Sequence, residues 1–480
     1  MPAIPAIARD MTVLGLDIGT NLIKVVEMRS SRGSLSLLNV GIRATPADVI
    51  VNGVIVDASA LGSAIRGLLQ AQGIRTREVV ASVAGQSSLV VRPIEVPKMS
   101  RAELADTMRW EVERHIPFAA SEVIMDYQPL VEPDELPEDR QNMEVLLAVA
   151  QEDMINAYLE TFRLAGLAPR ALDIEGLAAT RALIDLEAGT GLYDQTIALV
   201  NIGATTTDIS IIRNGLLSFN RPVPMAGESL TNAISENLGR DVAEAERLKK
   251  EVGMVLPEER PAGAVPPPLE PEVEAPAPEA PPVAAAPTPV EAEAAAEPVF
   301  DLSAELDELP ARRQAPQPSQ PAQAPQASQP PQAPQAPQQI FDLAGAPSAP
   351  PTGAAAAAPT PVAPVSAPSI QLSTQAITRK VYEAMLPALA ELVTEIRRSL
   401  EYYRSRYPDS TVDRILLFGG TAKLENLDRF IANEIGIQVE VGDPLKRLAA
   451  LPTFYTRQYL SELSCLLPIA VGLAIRDALE

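Results

Sequence analysis

The chain has 480 residues, of which 46% are apolar, so it is long enough to form two or three domains with large cores. Its formal net charge of −23 disfavours binding to free nucleic acid and to anionic lipid. Cys465 is the only cysteine, which excludes an intramolecular disulfide; the N-terminus lacks a signal peptide, and the longest apolar stretch, residues 466–475, is too short to cross a bilayer. We therefore expect a soluble cytoplasmic protein that reaches a membrane only through a partner.

The first predicted strand breaks into a glycine turn and resumes toward a lysine in the run LGLDIGTNLIK, which ends at Lys24. Gly19 lets the backbone approach an anion closely, and Thr20 and Asn21 offer side-chain donors. Asp17 carries a carboxylate that can hold the water ligands of a bound Mg²⁺. This pattern predicts a phosphate-binding hairpin.

A small α/β unit is predicted after this hairpin. Ser100 and Glu103 form a capping box at the start of a helix, and Leu104, Met108 and Val112 recur every four residues, which gives that helix a buried stripe. Strands are predicted on both sides of the helix, and a second helix begins at residue 152. The predicted strands are 79–85, 88–94, 123–130 and 144–150.

A second hairpin similar to the first is predicted at residues 199–211, with the sequence LVNIGATTTDISI. A third glycine turn leaves a predicted strand in the run ILLFGGTAKL at 415–424. The candidate nucleotide-binding residues of these two turns are Gly203, Ala204, Thr205, Thr206, Gly419, Gly420 and Thr421.

Two phosphate hairpins followed by a late Gly-Gly turn resemble the actin/Hsp70/hexokinase superfamily of nucleotide-binding proteins. The resemblance implies a two-lobed α/β fold in which the hairpins hold the phosphates of ATP, with Mg²⁺, from opposite lobes. It also implies that Glu246 and Lys249, three apart on one face of a helix that follows Gly227, contact ribose and base. Glu175 resembles the acidic residue that begins the interdomain helix and orients the attacking water.

The composition changes abruptly after Gly253. Residues from about 254 to 373 are mainly Pro, Ala, Gln and Glu, which bury too little apolar surface to fold, so a disordered insertion is predicted. Enlarging a loop to about 120 residues costs about 2 kcal/mol, which a large domain tolerates. Two units in the insertion, VFDL at 299–302 and IFDL at 340–343, are interpreted as docking motifs. The alternative is that they are coincidental in an inert spacer.

The small α/β unit closely resembles the corresponding part of the PilM family of type IV pilus proteins. The residues that carry the resemblance include Glu113, residues 116–118 and Asp126-Tyr127, with further matching segments at 396–403, 442–444 and 470–476. The resemblance implies an actin-like scaffold whose small subdomain is placed as in FtsA. It also implies binding to the cytoplasmic N-terminal tail of a PilN-like membrane protein, and a link between the pilus platform and its motor at the inner membrane.

These observations predict three parts of the chain. The first lobe is expected at 11–195, with the small α/β insert at about 79–170. The second lobe is expected at 196–469, interrupted by the insertion at about 254–373. A C-terminal helix at 470–480 is expected to return to the first lobe.

Asn201 departs from the superfamily pattern, because many relatives have there a carboxylate that holds Mg²⁺-bound water. An amide cannot supply the same charge, so we expect Asn201 to act weakly through water and hydrolysis to be slow. Replacing Asn201 by Asp tests this expectation.

The sequence leaves two classes of function open. One is a nucleotide-loaded scaffold, which can also form a dimer. The other is an ATPase of the FtsA or MreB type that turns over in cell division or filament formation. FtsA carries a C-terminal amphipathic membrane helix, whereas this sequence stops at Glu480, which favours a partner-borne anchor. A sugar kinase is a further alternative, but no candidate catalytic aspartate for a sugar pocket is found.

Overall fold

The computed structural model describes residues 11–31, 34–85, 88–184, 191–256 and 368–479. They belong to the first of two compact units, which comprises 1–268 and 366–480; the second unit, 269–365, lies outside the described residues. The two predicted docking motifs and nearly all of the predicted disordered insertion therefore also lie outside them.

The first lobe begins with an antiparallel meander, followed by a short hairpin, a helix and a further strand. These elements are β1 (Met11–Ile18), β2 (Leu22–Ser31), β3 (Ser34–Ala44), β4 (Ile50–Val51), β5 (Val54–Ile55), α1 (Ala58–Ala71) and β6 (Glu78–Val83). Asp57 caps α1 by accepting the N–H groups of Ser59 and Ala60, which a helix start otherwise leaves unpaired.

A separate three-stranded antiparallel sheet with one helix follows. Its elements are β7 (Leu89–Pro97), α2 (Arg101–His115), β8 (Val123–Pro129) and β9 (Asn142–Gln151), and the strand order is β7-β9-β8. The predicted capping box of Ser100 and Glu103 is present. Leu104, Met108 and Val112 are buried against the sheet, so the predicted stripe is confirmed.

The chain then returns to the first lobe through α3 (Glu152–Ala165), β10 (Ala168–Ile174) and α4 (Glu175–Leu183). The first-lobe sheet has the order β10-β6-β1-β2-β3, and β6 pairs in parallel with both β1 and β10. The small unit therefore spans 89–151, which is narrower than the expected 79–170. The reason is that β6 completes the first-lobe sheet and α3 packs against α1.

The second lobe repeats this topology. Its elements are β11 (Thr196–Ile202), β12 (Thr207–Arg213), β13 (Leu216–Val223), α5 (Gly227–Leu238), α6 (Val242–Val252), α7 (Pro368–Arg406), β14 (Arg414–Phe418), α8 (Leu427–Ile435) and β15 (Gln438–Val441). The strand order is β13-β12-β11-β14-β15, so each lobe combines a three-stranded meander with two parallel strands. The two phosphate hairpins are consequently the first turns of two equivalent sheets.

The packed chain extends beyond Gly253. Met254 forms a bridge with Glu425, and Val255 is 1% exposed. The backbone N–H of Val255 donates to the carbonyl of Glu425, and Asn426 Nδ2 donates to the carbonyl of Val255. Residues 254–256 therefore belong to the folded lobe and not to the insertion. Helix α7 begins at Pro368, within the range of about 254 to 373 that was expected for the insertion.

The last helices are α9 (Arg457–Leu463), α10 (Pro468–Ala474) and α11 (Arg476–Leu479). Helix α10 lies on β1 and against α4. A Cβ added to Gly15 would lie 1.9 Å from the carbonyl oxygen of Ala470, and one added to Gly472 would lie 1.7 Å from that of Ala178. Glycine at both positions allows this close approach.

One apolar core joins the two lobes. It combines first-lobe residues such as Val26 and Val80 with second-lobe residues such as Leu199 and Leu416, around α4 and α10. The first turns of the two sheets approach each other, with Thr20 Oγ1 3.4 Å from Thr205 Oγ1, and the space between the lobes at these turns is called the cleft. Within the part of the chain that the structure describes, no helix is long and apolar enough to cross a membrane.

Candidate functional site

The β1–β2 hairpin is held rigidly at one side of the cleft. Lys24 lies opposite Asp17 in the antiparallel register, and its Nζ is 2.6 Å from Asp17 Oδ2. The side chains are 15% and 2% exposed, respectively, so this is a largely buried ion pair. Gly19 closes the turn by donating its N–H to the carbonyl of Leu22, and its own carbonyl accepts the hydroxyl of Thr45. The charged pair and the turn are thus positioned together.

The turns of the two hairpins meet across the cleft. Thr20 Oγ1 of the first lobe is 3.4 Å from Thr205 Oγ1 of the second lobe. Two hydroxyls at this separation can donate to one phosphate group. Asn21, by contrast, is exposed, and its carbonyl accepts the N–H of Thr45.

The second hairpin is tied to two neighbouring elements of its own lobe. The carbonyl of Gly203 accepts the N–H of Gly227 at the start of α5 and the hydroxyl of Thr421, at 3.2 and 2.8 Å. The carbonyl of Ala204 accepts the N–H of Glu228 at 2.8 Å. Predicted residues from three separate stretches of sequence therefore form one surface.

Sequence reasoning gave no role to Asp208, although the residue lies in the second hairpin. It is paired across the hairpin with Asn201, as Lys24 is paired with Asp17 in the first. Burial raises the pKa of Asp208 from 3.8 to about 6, against the opposing effect of a hydrogen bond from the Thr206 side chain. Counting the register outward from the glycine turn would have identified this carboxylate.

Glu175 begins α4 and lies beside these hairpins. Its Oε2 accepts a hydrogen bond from Asn201 Nδ2 at 3.3 Å. Burial, together with the negative charges of Asp208 and Asp17, raises the pKa of Glu175 well above its usual range, while Lys24 and the Asn201 hydrogen bond oppose the shift. Three carboxylates therefore share the cleft and interact electrostatically.

A second polar cluster lies on α5 and α6. Lys249 Nζ is 2.7 Å from each of three oxygens: the Gly227 carbonyl, the Thr231 hydroxyl and the Glu246 carboxylate. Thr231 also donates to Glu246 at 2.5 Å. A Cβ on Gly227 would lie 2.6 Å from Thr421 Oγ1, which places this cluster next to the third glycine turn.

The third glycine turn packs directly on the second hairpin. Gly419 has φ of +94°, and its N–H donates to the carbonyl of Cys465 at 2.8 Å. A Cβ at Gly419 would lie 2.5 Å from the carbonyl oxygen of Ile202 and 2.6 Å from Asn201 Oδ1. A side chain at this position would therefore displace the hairpin, whereas a Cβ at Gly420 would make only an ordinary van der Waals contact, 4.0 Å from Leu466 Cδ2.

The donor set of the cleft suits a magnesium nucleotide. Hard carboxylate oxygens suit Mg²⁺, and lysine, hydroxyl and backbone N–H groups suit phosphate. Among the described residues, no group of three or more His, Cys, Asp and Glu side chains is arranged to hold a metal.

Comparisons with known proteins identify related families. Residues 15–267 match the family model of the type IV pilus assembly protein PilM, and residues 198–458 match that of the cell division protein FtsA. FtsA of Bacillus subtilis strain 168 is 27% identical over 260 residues, which cover 50% of this chain and 58% of that protein. FtsA of Streptococcus pneumoniae is 27% identical over 271 residues, covering 52% and 58%. The matched region thus spans 58% of the length of each of these curated relatives.

The chain also resembles a solved structure, that of a PilM-PilN type IV pilus biogenesis complex. The TM-score is 0.66 at 23% sequence identity, with 98% of this chain and 99% of that chain covered. The predicted two-lobed actin-like α/β fold is confirmed by this likeness.

Proposed function

Because this chain belongs to the PilM family of type IV pilus assembly proteins, we propose that it is an ATP-binding actin-like scaffold of the pilus machinery. The observation that carries the proposal is the approach of Thr20 and Thr205 from opposite lobes, beside the Asp17–Lys24 pair. A ligand held by both hairpins would contact both lobes at once.

The residues of the cleft divide into three proposed roles. Asp17 and Asp208 hold the waters of Mg²⁺, which supplies positive charge at the phosphates when bound. The phosphates are held by Gly19, Thr20, Asn21, Lys24, Gly203, Ala204, Thr205 and Thr206. The nucleoside is held by Gly227, Glu246, Lys249, Gly419, Gly420 and Thr421. Lys249 and Glu246 are already paired with each other, so they present a preorganised polar wall.

Glu175 is the proposed group that orients a water for slow hydrolysis. It lies at the start of α4, where helix N–H groups favour a negative charge. Its surroundings raise its pKa, and a base is more effective when its pKa approaches the working pH.

The proposed partner is the cytoplasmic N-terminal tail of a PilN-like membrane protein. The resemblance to the PilM-PilN complex supports this partner class. Such a tail would place the protein at the inner membrane through its partner. Because a nucleotide would contact both lobes, it would favour the arrangement in which the two hairpins lie close together. If the tail binds this arrangement more tightly, tail binding becomes nucleotide-dependent.

A fluorescent peptide copying the tail of the host's PilN-like protein tests the scaffold function. We expect it to bind with Mg-ATP more tightly than with Mg-ADP or without nucleotide. Thr20→Val and Thr205→Val should weaken ATP binding and remove the nucleotide effect, whereas Thr394→Val, on the exposed side of α7, should change neither. Absence of peptide binding in all three states, with ATP itself bound, would contradict the partner assignment.

A filament-forming ATPase of the FtsA type is the second candidate, and the family match over residues 198–458 favours it. Sedimentation with Mg-ATP separates the two. Pelleting that depends on ATP and occurs without the peptide supports the filament function.

A further inference from the structure

The side-chain amide of Asn201 is held between two elements of the site. Its Nδ2 donates to Glu175 Oε2 at 3.3 Å, and its Oδ1 lies against Gly419, where an added Cβ would be 2.6 Å away. This orientation suits an ionised Glu175, because the reverse would direct the amide oxygen at the carboxylate.

The charges of the cleft explain why an amide suits this position. Glu175 interacts with the negative charges of Asp17 and Asp208, and Lys24 opposes them. A carboxylate at residue 201 would add a fourth acidic group directly opposite Asp208 in the hairpin register. An N–H donor instead attracts the Glu175 carboxylate and favours its ionised form.

We propose that Asn201 is a positioning residue, which holds the Glu175 carboxylate at the start of α4 through its amide N–H. The inference rests on the proposed function for its catalytic meaning, whereas the hydrogen bond itself is a contact between two side chains of the protein. It differs from the role expected from sequence, in which Asn201 is a weakened holder of magnesium-bound water.

The position of Asn201 also gives this bond a structural consequence. Asn201 belongs to β11 of the second-lobe sheet, whereas Glu175 begins the helix that packs in the core between the lobes. A movement of the second-lobe sheet relative to α4 changes the geometry of the bond. Asn201 therefore holds Glu175 in place only while the second hairpin and α4 keep the relative position that allows this hydrogen bond.

A swapped pair provides the test. Asn201→Asp removes the donor and adds a charge with almost no change in shape, and we expect it to lower the thermal midpoint of the nucleotide-free protein. In the double variant Asn201→Asp with Glu175→Gln, the amide of residue 175 can donate to the new carboxylate, so the midpoint should recover. Single-turnover hydrolysis should fall by about tenfold or more in Asn201→Asp, with a smaller change in ATP affinity, and should not recover in the double variant.

Two results would overturn the proposal. One is faster hydrolysis in Asn201→Asp, which is the outcome expected if a carboxylate at 201 improves magnesium binding. The other is an equal decrease in the thermal midpoint when Asn201→Asp is introduced into the wild-type and the Glu175→Gln protein. That result would mean that the two side chains are not energetically coupled.

Asn201→Ala replaces Asn201→Asp in this experiment if the Asp variant does not fold. It removes the donor without adding charge, and its loss of midpoint should be smaller in a Glu175→Ala background. Failure of wild-type protein to bind ATP would contradict the proposed function, whereas the stability coupling is measured without nucleotide and is judged separately.

Discussion

At the scale of single residues, the two hairpins carry different charges at equivalent cross-strand positions. The first pairs a carboxylate with a lysine across the strands, and the second pairs Asn201 with Asp208. The carboxylate is thus moved to the opposite strand and not lost. The weak magnesium binding expected from Asn201 alone does not take this second carboxylate into account.

Asp208→Asn should weaken binding of Mg-ATP by about tenfold, because groups that orient metal-bound water typically contribute this much to affinity. ATP binding in the presence of a chelator should change much less. Isothermal titration with and without Mg²⁺ measures both. Asp126→Asn, an exposed aspartate on β8, is the matched control, and an equal loss in both conditions would argue against a magnesium role.

The raised pKa of Asp208 also predicts a pH dependence of stability without nucleotide. The carboxyl ionises near its ordinary value of 3.8 in the unfolded chain but only at about 6 in the folded protein, so the unfolded chain loses its proton first. Asp208 therefore lowers the free energy of unfolding as pH rises through this interval. Asp208→Asn should gain stability relative to wild type from pH 4 to pH 6, measured by urea unfolding. A constant difference between the two proteins would contradict the assigned pKa.

At the scale of elements, a polar contact joins the small α/β unit to the second lobe. Glu144 on β9 accepts the hydroxyl of Tyr407, just after α7, at 2.7 Å. Arg213 on β12 lies 3.9 Å from Glu144 and 4.6 Å from the centre of the Tyr407 ring. Strand β7 also contacts β13, so the small unit is held by the second lobe although it is inserted in the first-lobe sequence.

Tyr407→Phe should weaken this contact by about 2 kcal/mol, since it removes a hydrogen bond to a charged group and retains the ring. We expect faster amide hydrogen exchange in β7 and β9 and little change in the first-lobe sheet. Tyr402→Phe on the exposed face of α7 is the control. Unchanged exchange in β7 and β9 would mean that apolar packing alone holds the unit.

At the scale of the whole molecule, two sheets of the same topology bring their first turns to one cleft. Their shared core is formed with α4 and α10, and α4 begins at Glu175. A ligand in the cleft therefore contacts both sheets and one end of the helix between them. This connection gives a physical route by which the proposed nucleotide would alter the surfaces of both lobes.

The local features of this protein follow from its amino-acid sequence alone. Glycine turns, the capping box of α2 and its buried stripe depend on neighbouring residues, so they can be read from spacing alone. The three turns also identified the nucleotide-binding superfamily and its two-lobed fold, and matching of segments identified the family.

Which charged groups face one another depends on the packing of elements that are distant in sequence. Asn201 and Glu175 are 26 residues apart, and Glu144 and Tyr407 are 263 apart. They meet because the second lobe packs against α4 and against the small unit. The extent of the small unit also depends on tertiary contacts. Strand β6 pairs with β1 and β10, so it belongs to the first-lobe sheet and not to the small unit. Such contacts arise from the packing of separate elements, and local spacing carries no information about them.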